Sequence, residues 1–401
     1  MEALVSGLGC LCAAGGTARE CWQSLAGGRA IWPSPPARLI GLAEKMGLGR
    51  MEHPAFSLPD EAFTEGFRHS ARDTLDLAEK AAREALAQAG LEWRDLAGDQ
   101  SGVVIGSTAG NALHFMEDYA ALKNPPGGGP LPLTALTDFF NCNPAEALAR
   151  KHGLKGPALT VGNACCSGAD AIGLGLELIA SGRCRRVLAG GADALSLVPY
   201  IGFRRLMIYA GEPCRPFDRK RRGLNLGEGA ALLLLESAEA ASKRGAAPLA
   251  RLSAYGAASD AHHLTAPHPE AAGLRSAIRK ALARAGLTAA ELAFVNAHGT
   301  ATPDNDRIEA LAIKSELPDL PLWAVKGSTG HTLGAAGALE AALTVIALRE
   351  GQLPKSQGFA EEDPELRLSP TTALQPLKKR AAVSLSLGFG GVNSALVIEG
   401  V

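Results

Sequence analysis

The segment Ala158–Ser181 (ALTVGNACCSGADAIGLGLELIAS) decides how this chain reads. It opens on a short apolar run, Ala158–Val161, of the length and composition of a buried strand. A tight turn of small residues follows, Gly162–Gly168 (GNACCSG), and then a 3.6-periodic run of Ala, Leu and Ile over Gly168–Ser181 that predicts a helix. Cys165 sits in the elbow between strand and helix. A thiol there meets the positive end of the helix dipole and its unpaired N–H groups, both of which favour thiolate. The elbow also presents the cysteine's own N–H to a developing oxyanion. An arbitrary cysteine is more often a buried small hydrophobe; the surrounding small residues shift this one towards nucleophile. Cys166 is its rival, and it turns away if Cys165 faces the cleft.

The same grammar returns at Leu322–Arg349, with a histidine in the turn, KGSTGHTLGAAG over Lys326–Gly337. A third small-residue turn, NAHGTATP over Asn296–Pro303, carries another. One histidine at a strand end is usually a hydrogen-bonded structural residue. His298 and His331, each in a Gly/Thr-rich turn of the same half, are harder to set aside. With a thiol they suffice for covalent acyl chemistry. A metal site needs a further ligand; His262 and His263 are adjacent, and no HExxH or carboxylate triad is present, so no metal is expected. Thr265, Thr300 and Thr302 read either as turn residues or as the lining of a channel for a flexible amide-bearing arm. Gly388–Asn393 (GFGGVN) reads as a mobile gate with a backbone N–H at Phe389.

Short apolar runs predict further strands at Ala3–Leu8, Gly102–Gly106, Arg186–Ala189, Ala230–Glu236, Pro248–Gly256, Phe294–Asn296, Leu322–Lys326, Ala381–Leu387 and Ser394–Glu399. Helical periodicity marks Asp73–Ala89, Gly273–Ala285, Asp306–Ser315 and Gly334–Arg349. Strands alternating with helices argue for an α/β fold with buried sheets. The seam falls at Ser237–Pro248, giving halves 1–245 and 246–401, the first with the thiol and the second with the histidines. The Pro/Gly runs at 33–38 and 124–130 read as surface excursions.

With 401 residues, 47% hydrophobic, and a formal net charge of −1, the composition is that of an ordinary globular enzyme, not a nucleic-acid-coating or disordered chain. The eight cysteines lack the spacing of zinc ligands or a secreted disulfide framework. The N-terminus lacks a signal-peptide pattern and no run of eighteen apolar residues occurs, so a cytoplasmic location and no membrane span are expected.

Seven segments in order resemble the β-ketoacyl-[acyl carrier protein] synthases, the elongating condensing enzymes of type II fatty acid and polyketide systems. They are GLGCLCAAGGTARECWQSLAGGRA, GNACCSG, CRPFDRKRRGLNLGEGAALLLLE, SDAHHLTAPHP, VNAHGTATPDND, VKGSTGHTLGAAG and SLGFGGVNSALVIEG. The resemblance implies a thiolase-type fold, two similar α/β halves in five α-β-α-β-α layers, usually a homodimer, with a heterodimer as the other option. It implies that Cys165 accepts an acyl chain from an acyl carrier protein, and that His298 and His331 donate hydrogen bonds to the malonyl thioester oxygen. The N–H groups of Cys165 and Phe389 would hold the oxyanion. Lys326 and Glu340 match a supporting ion pair that fixes the second histidine. Thr265, Thr300 and Thr302 match the pantetheine tunnel, Phe389 its gate, and Phe203 and Ala109 the substrate pocket. No nucleotide, metal or flavin is implied.

The chain departs from that family's pattern in places. Asn163 stands where Thr is usual, and Cys166 where Thr or Ser is usual. The stretch Met207–Arg215 is shorter than its counterpart, and the GGP segment runs on as GGPLPL to Leu133 without basic residues. Arg204, Arg205 and the run Arg219–Arg222 remain as positive charge for a carrier protein, although a charge run is usually a solvated face. Ala109 replaces a bulkier residue. These departures point to a specialised pathway. Chain-starting synthases pair Cys with His and Asn, and thiolases carry a late second cysteine; neither pattern is present. The non-enzyme alternative is a chain-length-factor-like subunit, in which the nucleophile is typically replaced.

Overall fold

The computed structural model describes residues 3–35, 37–45, 53–58, 72–108, 110 and 143–401. Ala109, the 124–130 run and the segment ending at Leu133 lie outside them. Ten strands form the main sheet: β1 (Ala3–Cys12), β2 (Ser101–Gly106), β3 (Ala158–Val161), β4 (Arg186–Asp193), β5 (Gly229–Glu236), β6 (Ala250–Ser259), β7 (Leu292–Asn296), β8 (Leu322–Trp323), β9 (Ala381–Gly388) and β10 (Val392–Gly400).

Their spatial order is β3-β2-β4-β5-β1-β6-β10-β9-β7-β8. The first five strands thus lie in the order 3-2-4-5-1, and the second five repeat it in mirror sequence from the other end. The pairing repeats too. β2 runs parallel to β3 and β4, while β5 is antiparallel to β4 and β1. β7 runs parallel to β8 and β9, while β10 is antiparallel to β9 and β6. Among the described strands, a three-residue antiparallel pairing, Ala3–Val5 with Ala250–Leu252, joins the two sets. The echo between Ala158–Ser181 and Leu322–Arg349 is therefore a repeat of topology.

Helices fill the layers. The Ser167–Ala180 and Ala336–Glu350 helices pack on each other and on both half-sheets. Every residue from Ala336 to Leu348 is buried, as a helix apolar on all sides must be when it forms a central layer. The amphipathic Arg72–Gln88 helix covers the outer face of the first half, against β1, β4 and β5. The Ala272–Ala285 helix covers the second against β6 and β10, with Pro303–Glu316 beside it. This is the expected five-layer thiolase-type arrangement. Gly168 is what lets the central helices close: a Cβ there would lie 2.6 Å from the Gly334 carbonyl oxygen and 2.9 Å from Ala338 Cβ. The contact brings the start of the Ser167–Ala180 helix against the turn that follows His331.

Some expected bounds shift. The strand expected over Leu322–Lys326 ends at Trp323, and Lys326 instead opens a one-turn helix, Lys326–Thr329. The seam at Ser237–Pro248 holds a short helix, Ala238–Lys243, which Ser237 caps by accepting the Ala240 N–H at 3.2 Å. Among the described residues no helix is long and apolar enough to cross a membrane.

Candidate active site

The elbow after β3 is held in a left-handed turn at Ala164, φ 47°, a conformation that non-glycine residues keep only when neighbours enforce it. Ser167 enforces it twice: its Oγ donates to the Ala164 carbonyl at 2.6 Å and accepts the Asn163 N–H at 2.8 Å. The Asn163 amide reaches Asp170 in the first turn of the helix. Asp170 in turn accepts Tyr255 Oη at 2.8 Å from β6 and the Ser394 hydroxyl from β10. The residue that departs from the family's Thr is thus tied to the other half of the molecule. The turn aims the two cysteines apart. Cys166 is fully buried, its Sγ 3.3 Å from the Ser386 carbonyl. Cys165 lies on the cleft with a ligand-ready atom of His298 and of His331, all within 4.8 Å of one another.

Lys326 organises His298. Its ammonium donates to His298 Nδ1 at 3.1 Å, to the His298 carbonyl at 2.5 Å, and to the Glu340 carboxylate. An ammonium only donates, so Nδ1 accepts and the ring proton is on Nε2. His331 reaches the same tautomer independently, its Nδ1 accepting the Leu333 N–H at 3.1 Å. Both rings therefore turn an Nε2–H donor to the cleft. The expectation that the Lys326–Glu340 pair fixes the second histidine is corrected: it fixes the first, because the Lys326 helix turn lies under His298 and the His331 ring is satisfied by its own turn.

The tautomers bear on whether the thiol and two imidazoles suit a metal. A metal needs the Nε2 lone pairs, which would force a proton onto each Nδ1 against Lys326 and the Leu333 N–H, both of them donors. Burial holds both imidazoles well below the ordinary histidine range, with the Lys326 charge adding to it and, for His298, the neighbouring His331 as well. They are neutral donors. Burial also pushes the Cys165 thiol up to about 12, opposed by Lys326 and by the Phe389 N–H facing the sulfur. The helix start does not leave this cysteine a resting thiolate. Gly388 keeps that corner open: a Cβ on it would lie 3.1 Å from the Cys165 nitrogen.

The cleft runs outwards from the thiol past Phe203, Thr300, Thr302 and Phe389 to Thr265. Thr300 and Thr302 are buried and their hydroxyls lie 2.9 Å apart, whereas Thr265 is exposed at the mouth. Phe389 packs against Phe203, ring centroids 5.6 Å apart, at the bend where a gate would stand. The basic run is mostly spent internally. Arg219 bonds Glu361 at 2.8 Å, Lys220 lies 3.5 Å from Glu361, and the half-buried Arg221 pairs with Asp363 at 2.5 Å. Arg222 is the member of that run that lines the cleft.

Three buried carboxylates shape the site without having been singled out in the sequence. Glu309 accepts the N–H groups of His298 at 2.6 Å and Gly299 at 2.8 Å, and burial raises it to about 8. Asp306 accepts the N–H groups of Phe217 at 2.7 Å and Ala301 at 3.1 Å. Asp193 ends β4 beside the thiol. The available signal was an acidic residue closing an apolar strand or lying on the inner face of a helix.

Known proteins match this geometry along the whole chain. The family model for the N-terminal domain of β-ketoacyl synthases matches residues 2–241, and that for the C-terminal domain matches 249–360. Nodulation protein E of Rhizobium sp. (strain N33) is 33% identical, the match covering 99% of each chain. The 3-oxoacyl-[acyl-carrier-protein] synthase 2 of Coxiella burnetii is 32% identical over 99% of this chain and 98% of its own. A type II PKS ketosynthase solved in complex with its acyl-carrier protein and bound to the hexaketide superposes with a TM-score of 0.89 at 26% identity, covering 100% of this chain and 99% of its own. The chain belongs to the β-ketoacyl synthase family, the acyl-transferring condensing enzymes of the thiolase fold.

Proposed function

We propose that the protein is a β-ketoacyl-[acyl carrier protein] synthase that joins an acyl group to malonyl-carrier protein with loss of carbon dioxide. The convergence of Cys165 with two Nε2–H imidazole donors carries this reading. In the first step the Cys165 sulfur attacks the acyl thioester, an S–C bond forms, and the carrier's pantetheine thiol leaves with the cysteine's proton. The N–H groups of Cys165 and Phe389 hold the oxyanion. In the second step malonyl-carrier protein loses carbon dioxide, and the electron pair of the broken C–C bond becomes an enolate. His298 and His331 donate to its oxygen, neutral donors stabilising charge where it develops. The carbanion then attacks the acyl-cysteine carbonyl, a C–C bond forms, and the Cys165 thiolate is expelled.

Loss of carbon dioxide drives the condensation, so the reaction calls for no nucleotide, metal or flavin. The working unit is the pair of halves, 1–245 with the nucleophile and 246–401 with the histidines, since neither holds a complete set. An acyl carrier protein is the partner that delivers both substrates, in keeping with the similar ketosynthase solved with its own. The protein acts as a homodimer, or as one subunit of a heterodimer. The silent chain-length-factor reading is disfavoured because Cys165, His298, His331 and Lys326 are all present and in register. Incubation with acyl- and malonyl-carrier proteins of varied chain length, read by intact-protein mass, tests the proposal. The acyl adduct is expected on the wild type and absent from Cys165→Ala; an adduct that persists overturns the nucleophile assignment.

A further inference from the structure

A line of hydrogen bonds runs from the nucleophile turn to the second histidine turn, and Asp193 stands at its middle. Asp193 is fully buried at the end of β4. Its Oδ2 accepts the N–H of Thr108 at 2.8 Å and the N–H of Gly334 at 2.7 Å. Its Oδ1 accepts the Ser107 hydroxyl at 2.6 Å. Thr108 passes the link on, its Oγ1 donating to the Ala164 carbonyl at 2.8 Å, one residue before the nucleophile. On the other side Gly334 follows Leu333, which has φ 53° and whose N–H fixes His331 Nδ1. A single carboxylate oxygen thus ties together two left-handed turns on opposite halves of the molecule. The fit admits nothing larger than glycine: a Cβ on Gly334 would lie 2.8 Å from Asp193 Oδ2 and 2.6 Å from the Thr108 nitrogen.

We propose that Asp193 is a positioning residue that sets the spacing between the Cys165 thiol and the His331 donor. Thiol and imidazole come from different half-sheets, so their separation is not fixed by either backbone, and condensation is the step that needs both. Misplacement on the order of 1 Å costs about 10²-fold in such a step. The carboxylate is also felt at the sulfur, where it opposes the thiolate together with Glu340, while Lys326 and the Phe389 N–H favour it.

Two variants separate geometry from charge. In Asp193→Asn the side-chain oxygen still accepts Thr108 and Gly334, and the new amide donates to Ser107, whose hydroxyl turns to accept; the long Gly110 N–H contact to Oδ1, 3.4 Å, is given up, and that N–H keeps its 3.0 Å bond to Ser107 Oγ. Asp193→Ala removes the tie. Condensation kcat is expected within about threefold of wild type for Asn and about 10²-fold lower for Ala, with KM for acyl-carrier protein little changed and Cys165 of Ala still alkylated by iodoacetamide. Alkylation of Asn at neutral pH is expected to be faster than wild type, because a negative charge beside the sulfur is gone. The proposal is overturned if Ala keeps kcat within threefold, if Asn loses as much as Ala, or if Ala loses thiol alkylation along with kcat. The kcat arm rests on the condensation reading. A wild type that alkylates but never condenses contradicts that reading alone, and the alkylation arm still reports on Asp193.

Discussion

The Lys326 ammonium lies 3.1 Å from His298 Nδ1 and also grips the backbone carbonyl of the same residue. A cation thereby sets the tautomer of a neutral ring and keeps it from taking a proton. Replacing Lys326 by Ala frees Nδ1 and leaves the Glu340 carboxylate buried without its partner. Decarboxylative condensation is predicted to fall about 10²- to 10³-fold. Acylation of Cys165 falls less, since there Lys326 acts only through its charge at the sulfur. Single-turnover acylation and carbon dioxide release, measured separately, check the split.

The pH behaviour follows from burial. Both imidazoles are held well below the ordinary histidine value, so each stays neutral as pH falls through about 6.5, where a solvated ring is half charged. Nitrogen chemical shifts of both rings should therefore be level between about pH 7.5 and pH 6, even though Glu309, raised to about 8, and Glu340, raised to about 7, titrate near that window and can shape the rate. A ring that itself titrates near 6.5 would contradict neutral donors. The thiol shifts the opposite way: with Cys165 pushed up to about 12, iodoacetamide alkylation should still be climbing at about pH 10, where a free cysteine of pKa about 8.5 has levelled off.

Cys166 offers a test of the elbow. Its sulfur faces the Ser386 carbonyl in the core, away from the cleft. Cys166→Ala is predicted to acylate at close to the wild-type rate and to lose about 1 kcal/mol of stability. Intact-protein mass and denaturant unfolding give the two numbers.

Gly330 precedes the second histidine at φ 67°, and a Cβ there would lie 2.7 Å from the Phe56 ring and 2.8 Å from the Leu226 carbonyl oxygen. Gly330→Ala combines a left-handed conformation with a clash against backbone, and is predicted to cost about 2–4 kcal/mol. A shift of the unfolding midpoint in urea measures it, and an unshifted midpoint contradicts the geometry.

Much of this was legible in the chain. Strand runs and helical periodicity carry local structure, so β3 begins and ends where Ala158–Val161 predicts, and the repeated strand–turn–helix suggests a duplicated unit; the shared 3-2-4-5-1 strand order comes from the structure. The reactive residues stood out because thiol and imidazole in small-residue turns are chemically conspicuous. What escaped is pairing at long range. Nothing local says that Lys326 reaches back 28 residues to His298 instead of forward to His331. Nothing local says that Arg221 is neutralised by Asp363, 142 residues on. Asp193, Asp306 and Glu309 were passed over because each accepts at least two backbone N–H groups, which every residue but proline carries and no side-chain pattern marks.

The most direct test is carbon dioxide release from malonyl-carrier protein by His298→Ala enzyme already acylated on Cys165. The thiol does not depend on that ring for covalent chemistry, so the acyl adduct should form and be seen by mass. Carbon dioxide release and the 3-oxoacyl product should then be lost, because the enolate has lost the donor that Lys326 fixes. Release at the wild-type rate would contradict the enolate-stabilising role of His298 and the account of the site built on it.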